Sequence, residues 1–186
     1  MIKALIKKVA SSILSGYDIY KVYYLSEAPA KVEPLPDEMT IVELTDASLS
    51  QYESELLNSN GFYLGEESIG FACLSEGEVV GVCFFWFGKR YAQRNFIRLD
   101  KSEAKLVQVE TLSSQRGKGI APKLINFASR ELLTAKGFTK LYARIWHSNT
   151  PSIKCFTKSG WCYQKTIIDI FIRFLPKLRL SWPLGK

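Results

Sequence analysis

The sequence has little histidine and little cysteine, which argues against a metal centre. Its 186 residues include one histidine and four cysteines: Cys73, Cys83, Cys155 and Cys162. None of these cysteines has the short spacing of a zinc or redox motif. We therefore expect no metal site. We interpret the cysteines as reduced thiols in or near the core of a cytoplasmic protein.

Long apolar runs, repeats and low-complexity tracts are also missing. No apolar stretch is long enough to span a bilayer, and the N-terminus lacks the continuous apolar segment of a secretory signal. A hydrophobic content of 47% predicts one domain with a real core. Acidic residues are outnumbered by basic ones, 18 to 25, which gives a net charge of +7. Nucleic acid, anionic lipid and an anionic ligand all fit that excess, much of which lies in the two chain ends.

The most informative stretch predicts a strand, a loop and a helix. The strand is Leu106–Leu112, and the loop after it contains Gly117 and Gly119. Apolar residues then recur at helical spacing: Leu124, Ile125, Ala128 and Leu132. Glycines let the backbone approach a ligand closely, and the free amides at a helix start attract anions. Basic side chains add positive charge: Arg116, Lys118 and Lys123. The stretch therefore predicts a cradle for a phosphate or pyrophosphate.

Two common nucleotide-binding patterns do not fit this loop. The Walker pattern requires Ser or Thr after Gly-Lys, but Lys118 is followed by Gly119. The dinucleotide fingerprint requires a third glycine where this chain has Pro122. Residues 116–121 instead match Arg-x-x-Gly-x-Gly/Ala. At this point the chain resembles the GNAT superfamily of N-acetyltransferases, whose acetyl-CoA pyrophosphate loop has that pattern.

A second motif downstream strengthens this resemblance. The predicted strand Phe138–Trp146 is followed by Asn149, which opens a predicted helix that runs into residues 156–161. These residues resemble the second GNAT signature, Asn-x-x-Ala/Ser followed by aromatic-x-Lys-x-Gly-aromatic. The two signatures have the expected order and separation. The resemblance covers roughly Thr40–Phe174.

The predicted elements follow the order β-α-β-β-β-α-β-α-β, which also matches the GNAT fold. We therefore expect an α+β fold: a mixed, mostly antiparallel sheet, splayed between its fourth and fifth strands, with helices on both faces. We assign residues 38–174 to the acetyltransferase domain and residues 175–186 to a basic tail. Residues 1–37 are an N-terminal extension with an amphipathic helix (Met1–Ser15), an extended segment (Tyr17–Leu25) and a proline-rich linker (Ala28–Asp37).

Other segments give coarser predictions. A helix is expected from Thr45 or Asp46 to about Asn58, and the last strand of the domain is expected at Cys162–Phe174. The basic and aromatic segment Gly88–Leu99 is interpreted as a lengthened hairpin loop or a strand extension. The aromatic run Phe84–Phe87 is explained by core packing, so we expect no nucleic-acid binding.

The two chain ends leave two interpretations open. Apolar residues of the first segment form one helical stripe: Ile2, Leu5, Ile6, Val9 and Ile13. Such a helix packs on the domain or on a second subunit of a homodimer, or it lies on an anionic membrane. The tail, with basic residues among Leu and Trp, allows membrane contact or packing on that helix. Membrane contact would place the protein at the inner face of the cytoplasmic membrane.

The resemblance implies acetyl-CoA as the donor, bound where the fourth and fifth strands splay apart, with no metal. Its pyrophosphate is expected on the loop amides, and its pantetheine arm is expected along the end of the fourth strand and near Asn149. An amide at that strand end stabilises the oxyanion of the reaction. The implied donor-binding residues are Thr111, Leu112, Arg116, Gly117, Lys118, Gly119, Ile120, Ala121, Asn149, Phe156 and Lys158.

The family's reaction, direct attack of an amine on the thioester, requires removal of a proton from the amine. Glu110, on the strand that leads into the loop, and His147, the single histidine, are the candidate bases. Each also has a purely structural interpretation. Many family members have a tyrosine as general acid at the aromatic position of the second signature. This chain has Phe156 there, which has no proton to donate.

We predict an N-acetyltransferase that acts on the primary amine of a small molecule. An amino-sugar nucleotide fits the basic segment Gly88–Leu99, where Arg90 and Arg94 would face an anionic acceptor. Two alternatives stay open. One is acetylation of protein amines, for which the sequence shows no peptide groove. The other is a catalytically silent acyl-CoA-binding module, which the phenylalanine at position 156 suggests.

Overall fold

The computed structural model describes residues 14–29, 34–36, 38–45, 47–94 and 96–183. Eight strands form one sheet: β1 (Leu14–Leu25), β2 (Met39–Leu44), β3 (Ser68–Ser75), β4 (Glu78–Trp86), β5 (Glu103–Thr111), β6 (Lys140–Trp146), β7 (Cys162–Ile172) and β8 (Leu178–Pro183). Five helices accompany it: α1 (Ser48–Gln51), α2 (Glu55–Asn60), α3 (Gly88–Ala92), α4 (Ile120–Thr134) and α5 (Thr150–Lys158). No helix within these described residues has the length and apolar character needed to cross a membrane.

The strand order is β2-β3-β4-β5-β6-β1-β7-β8, and within this sheet β5 and β6 run parallel while the other neighbours are antiparallel. The parallel pairing extends only from Glu103 to Leu106, whereas β5 remains paired with β4 as far as Thr111. The two parallel strands therefore diverge after Leu106 and leave a gap. They are the fourth and fifth strands predicted for the domain. The predicted α+β fold with a mostly antiparallel, splayed sheet is confirmed.

Strand β1 lies inside the sheet, between β6 and β7. Tyr20 lies opposite Trp146 on one side and Ile167 on the other. The segment that the sequence set apart as an extension thus contributes an interior strand. The helix predicted over Met1–Ser15 is wrong at its last two residues, which lie in β1; residues 1–13 lie outside the described part of the chain. The predicted linker, Ala28–Asp37, is described only in part.

The sheet has two covered faces, and its buried residues form three hydrophobic clusters. On the first, α4 buries the stripe that the sequence predicted: Leu124, Ile125, Ala128 and Leu132. Each such large aliphatic side chain contributes about 1.5–3 kcal/mol when fully buried. On the other, Leu56 and Leu57 of α2 cover Val82 and Phe84. We call these sides the α4 face and the α2 face.

Helix α4 ends as its sequence predicts. Gly137 has φ +78°, and the amide of Phe138 donates to the carbonyl of Leu132 at 3.1 Å. This is the long-range bond of a glycine-terminated helix, which satisfies a carbonyl that would otherwise lack a partner.

Three local predictions are corrected. The helix expected up to Asn58 is two short helices, because the chain is extended at Ser54, whose hydroxyl caps α2 by accepting from the Leu57 amide. The segment Gly88–Leu99 begins with α3 instead of extending a hairpin. The Glu67 carboxylate accepts from the Lys89 and Arg90 amides at 2.6 and 3.0 Å, which favours a helix start. The tail was not predicted to form a strand, but it contains β8.

The cysteines follow the prediction in part. All four are free, and Cys73 and Cys83 are buried, but Cys162 is exposed. Apolar side chains are also exposed in and before β8: Phe174, Leu175, Leu178, Leu180 and Trp182.

A buried ion pair ties β8 to β7. Asp169 is 3% exposed, and Arg179 donates to its two oxygens at 2.6 and 2.7 Å. A third bond of the guanidinium reaches the carbonyl of Phe96 at 2.8 Å. The hydrogen bonds from Arg179 hold the pKa of Asp169 below its ordinary value.

We expect Asp169→Asn to lower the free energy of unfolding by about 2 kcal/mol at pH 7, because it leaves a partly buried guanidinium without its charge partner. The native carboxylate has a lowered folded pKa, so its contribution is complete above the unfolded value, about 3.9. That contribution is lost as the pH falls through the lowered folded value. Urea unfolding between pH 7 and pH 2 measures both effects.

The matched control is Lys136→Met, which removes the exposed pair of Lys136 and Glu43, 2.8 Å apart. An exposed pair contributes less than about 1 kcal/mol. Equal losses in the two variants would contradict a special role for the buried pair.

Candidate active site

The two sequence motifs meet around one cleft between α4 and α5. Its volume is about 500 Å³. It is lined by the end of β5, the following loop, the start of α4 and residues of α5. Nine of the predicted site residues line it: Glu110, Thr111, Arg116, Gly117, Gly119, Ile120, Ala121, Phe156 and Lys158. Residues far apart in the sequence are thus brought together. Lining residues that the sequence did not single out include Lys154 and Cys155.

The loop at the mouth of this cleft depends on glycine. Gly117 and Gly119 have φ values of +83° and +76°, in the left-handed region that favours glycine. Gly119 directly precedes α4, which has no side-chain cap. Among the described residues, the amides of positions 117–121 donate no backbone hydrogen bond. A helix start with unused amides and no cap has the geometry and the dipole to bind an anion.

Gly81 lets this helix start lie close to the sheet. It stands opposite Thr111 on β4, and a Cβ added there would lie 3.0 Å from a methyl of Ile120. A larger residue at position 81 would therefore push α4 and its loop outward.

The end of β5 carries one unpartnered polar group beside the cleft. The hydroxyl of Thr111 is buried and has no hydrogen-bond partner within the described structure, and the residue lines the cleft. Leu112 does not line it, because its amide donates to Val80 at 3.0 Å and its side chain packs in the core. Lys118 also lies outside the lining, since its amine donates to Gln115 at 2.8 Å.

A smaller groove, of about 170 Å³, follows the gap between β5 and β6. Gln108, Arg144, Trp146 and Asn149 line it, and Phe156 lines both this groove and the cleft, so the two adjoin. The register between β4 and β5 shifts at this level and makes Val107 an extra residue of β5. Such a bulge redirects the backbone and leaves groups unpaired.

Asn149 begins α5, as predicted. Its side-chain oxygen accepts from the Ser152 amide at 3.1 Å. The oxygen is therefore used as a helix cap, while the residue lines the groove and not the cleft.

The structure separates the two candidate bases. Glu110 lines the cleft, and one carboxylate oxygen accepts from Asn60 at 3.0 Å and from Gln108 at 3.3 Å. His147 is exposed beside β1, where its backbone amide donates to Ile19 at 3.0 Å and its ring Nδ1 lies 3.2 Å from the same carbonyl. It lines neither the cleft nor the groove. No sequence pattern indicates that Asn60 and Gln108 contact Glu110, because this contact joins α2 to β5, which are far apart along the chain.

Phe156 is buried in the core between other aromatic side chains. Its ring centroid lies 5.1 Å from that of Trp161 and 6.5 Å from that of Tyr23. The neighbouring thiol of Cys155 lines the cleft, and burial raises its pKa to about 11, so it keeps its proton at neutral pH. Tyr163 is engaged with Thr166 at 2.6 Å. Within the described ranges, no group of three or more potential metal ligands occurs.

Comparison with known families gives one match of broad extent. The model of the acetyltransferase (GNAT) family matches residues 22–161, which include both motifs. A search of curated proteins finds no significant match.

Solved structures share the fold at low sequence identity. A GNAT-family protein from Novosphingobium aromaticivorans has a TM-score of 0.59 at 14% identity, over 83% of this chain and 64% of that one. A GCN5-related N-acetyltransferase from Kribbella flavida has a TM-score of 0.59 at 12% identity, over 98% of this chain and 65% of that one. This chain therefore spans less than two thirds of the length of either.

A third solved structure contains a bound small molecule. An aminoglycoside acetyltransferase from an uncultured soil metagenomic sample, in complex with sisomicin, has a TM-score of 0.52 at 14% identity. The similarity covers 66% of this chain and 88% of that one. At such identities the likeness concerns the fold.

Proposed function

This chain belongs to the GNAT acetyltransferase family, and from that premise we propose that it is an N-acetyltransferase. It transfers the acetyl group of acetyl-CoA to the primary amine of a small molecule, in the cytoplasm. One observation carries the proposal. Both motifs line the same cleft. Within the described structure, the loop amides there and the hydroxyl of Thr111 have no hydrogen-bond partner and are free to bind a ligand.

Acetyl-CoA fits the charge and shape of the cleft. The pyrophosphate binds the free amides between Gly117 and Ala121, where the positive end of the α4 dipole adds attraction. Arg116 and Lys158 line the same space and contribute full positive charges. Lys118, which donates to Gln115, is not required for this cradle.

The pantetheine arm extends from the cleft into the gap. Beyond Leu106, β5 has no partner on its β6 side, so its backbone can pair with an amide-containing ligand as with an added strand. The hydroxyl of Thr111 and the side-chain nitrogen of Asn149 remain for polar contacts along the way. The amide that stabilises the oxyanion was expected at the end of this strand, but the Leu112 amide already donates to Val80. We assign this role instead to a backbone amide near the Val107 bulge.

In the reaction, the amine nitrogen attacks the thioester carbonyl carbon, and the tetrahedral intermediate expels the CoA thiolate. The amine proton passes to Glu110, directly or through water. Asn60 and Gln108 hold this carboxylate in place. Holding the two reactants in line supplies much of the rate. Phe156 provides no proton for the thiolate, but the protonated thiol of Cys155 also lines the cleft.

The acceptor side carries aromatic and basic residues. Arg90 and Arg94 both lie over the Trp86 ring, at 4.7 and 4.9 Å. Arg90 is already used, because it donates to the carbonyls of Phe62 and Leu64. This basic surface disfavours a polycation such as the aminoglycoside of the metagenomic relative. It favours an amine that carries an anionic group, such as an amino-sugar nucleotide.

A peripheral membrane contact is a separate part of the proposal. The exposed apolar side chains of β8 and of Phe174 lie beside basic residues, among them Lys177. Apolar and basic side chains together suit the surface of an anionic membrane. The same surface would also accommodate a second copy of this chain.

Acceptor class is tested by steady-state release of CoA thiol with a panel of amines. We expect turnover with nucleotide amino sugars and a lower kcat/KM with matched unphosphorylated amino sugars and with aminoglycosides. Acetylated peptides in mass spectrometry, without small-molecule turnover, would point to protein amines. CoA binding without any turnover would point to the silent module, and either result would overturn the proposed activity.

Donor binding is tested by placing a carboxylate in the loop. We expect Gly117→Asp to raise the Kd for acetyl-CoA at least tenfold, because its charge repels the pyrophosphate. Gly137→Asp is the matched control, since both glycines have similar φ values, +83° and +78°, and open space around them. It lies at the other end of α4 and should leave the Kd within about twofold, a change of less than 0.5 kcal/mol. If calorimetry gave the same rise in Kd for both variants, the pyrophosphate would have to bind elsewhere.

The base is tested by Glu110→Gln. This change keeps the shape of the side chain and removes proton acceptance, so we expect kcat to fall about 100-fold with an unchanged Kd for acetyl-CoA. His147→Gln, the comparison, should change kcat by less than threefold, because His147 lies outside the cleft. The reverse outcome would move the base to His147.

A further inference from the structure

Lys105 is a buried lysine on the α2 face of β5. It is 8% exposed, and its neighbours in the sheet are Trp86 and Tyr142. Its amine lies 5.6 Å from the centroid of the Tyr91 ring. In the ranges that the structure describes, no ion pair includes it. A lysine is rarely buried without an anionic partner, because removing its charge from water is costly.

Two arginines flank Lys105 and also lack carboxylate partners among the described residues. Each guanidinium lies over two aromatic rings: Arg94 over Trp86 (4.9 Å) and Phe62 (5.7 Å), and Arg144 over Tyr20 (4.3 Å) and Phe96 (4.6 Å). Ring faces hold a cation in place without neutralising it. Burial, and then repulsion from Arg144 and Arg94, lower the pKa of Lys105 to about 7.

Acidic groups near this cluster are already engaged. Glu103, also on β5, accepts from the Asp100 amide at 2.9 Å and from the Tyr142 hydroxyl at 3.3 Å. Asp169 is paired with Arg179. The hydroxyls around Lys105 stay neutral at pH 7, because burial raises the pKa of Tyr91 and raises that of Tyr142 to about 12. Asp18 accepts from the Tyr20 hydroxyl at 2.7 Å. In the described part of the chain, none of these carboxylates forms an ion pair with Lys105, Arg94 or Arg144.

The cluster lies beside the gap in the sheet. Lys105 directly precedes Leu106, the last residue of β5 that pairs with β6, and Arg144 lines the groove along the gap. The donor cleft opens between α4 and α5. An amine that enters this groove meets Arg144, which lies near Lys105.

We propose that Lys105, Arg94 and Arg144 form a binding site for an oxyanion, a phosphate or a carboxylate, carried by the amine acceptor. This inference rests on the proposed function only in assigning the anion to the acetylated molecule. The anion supplies the charge partner that Lys105 lacks. Because the free lysine titrates near neutral pH, the anion binds together with a proton above that pH.

The test uses three small amines that differ in one group: 2-aminoethyl phosphate, β-alanine and ethanolamine. Calorimetry is run on the full chain with and without saturating CoA, so that acetyl transfer is not needed for the readout. We expect the phosphate or the carboxylate amine to bind at least tenfold more tightly than ethanolamine. Which of the two binds better identifies the anion. Equal binding of all three would overturn the proposal.

Lys105→Met keeps the volume of the side chain and removes its charge. We expect it to abolish the preference for the anionic amine while the Kd for CoA is unchanged, which shows that the variant is folded. Lys101→Met, at an exposed position before β5, is the matched control and should retain the preference. Arg144→Gln, on the neighbouring strand, should weaken it several-fold. Retention of the full preference in Lys105→Met would overturn the assignment.

The pH dependence gives a second readout. β-Alanine keeps its carboxylate ionised throughout the range from pH 6 to 9. We expect its affinity to be constant below pH 7 and to fall up to tenfold per pH unit above it, because Lys105 must then take up a proton. In Lys105→Met this slope should vanish, and an unchanged slope would contradict the role of Lys105. Loss of CoA binding with the anion preference intact would refute the proposed donor but not this site.

Discussion

Strands β5 and β6 run parallel, and a parallel pair cannot be joined by a tight turn. The chain between them must cross over the sheet, and in this protein the crossover is the glycine loop and α4. The start of α4 therefore lies at the carboxyl end of β5, beside the place where the two strands diverge. One constraint of strand direction thus places the unused loop amides next to the gap. The cleft, the groove and the assignment of donor and acceptor sides all depend on it.

Strand β1 connects β6 to the strands that lie beyond it, β7 and β8. This strand pairs with β6 on one side and with β7 on the other, so the strand beyond the gap is not an edge. Tyr23 of β1 packs against Phe156, and the carbonyl of Ile19 engages His147. The single histidine, a candidate base in the sequence, thus links β1 to the turn after β6.

The sequence predicted what local rules determine. The glycines at positions 117 and 119 lie in a loop before α4, Asn149 begins its helix, and the apolar stripe of α4 faces the sheet. Each of these depends on residues within a few positions of one another. The family resemblance added the splayed sheet and the meeting of the two motifs.

What the sequence could not predict depends on partners that are distant along the chain. Residues 14–25 have the composition of a strand, but nothing local shows that they lie between β6 and β7. Lys105 alternates with apolar residues as an exposed strand residue does, yet Tyr91 and the aromatic neighbours of Arg94 and Arg144 bury it. In the sequence, Asn60 precedes Gly61 and is interpreted only as part of a helix end. In the structure its side-chain amide also donates to Glu110 on the α2 face.

The bulge at Val107 decides which residues of β5 lie on the same face of the sheet. Lys105 and Glu110 are an odd number of positions apart, so in a regular strand they would point to opposite faces. The extra residue brings Lys105 and Glu110 to the same face of the sheet. On that face Lys105 lies near α3, and Gln108 and Glu110 contact α2. Lys105 and Glu110 share a face only because of this one inserted residue. The number of residues in β5 is therefore itself constrained, because inserting or deleting one residue would turn Lys105 and Glu110 to opposite faces.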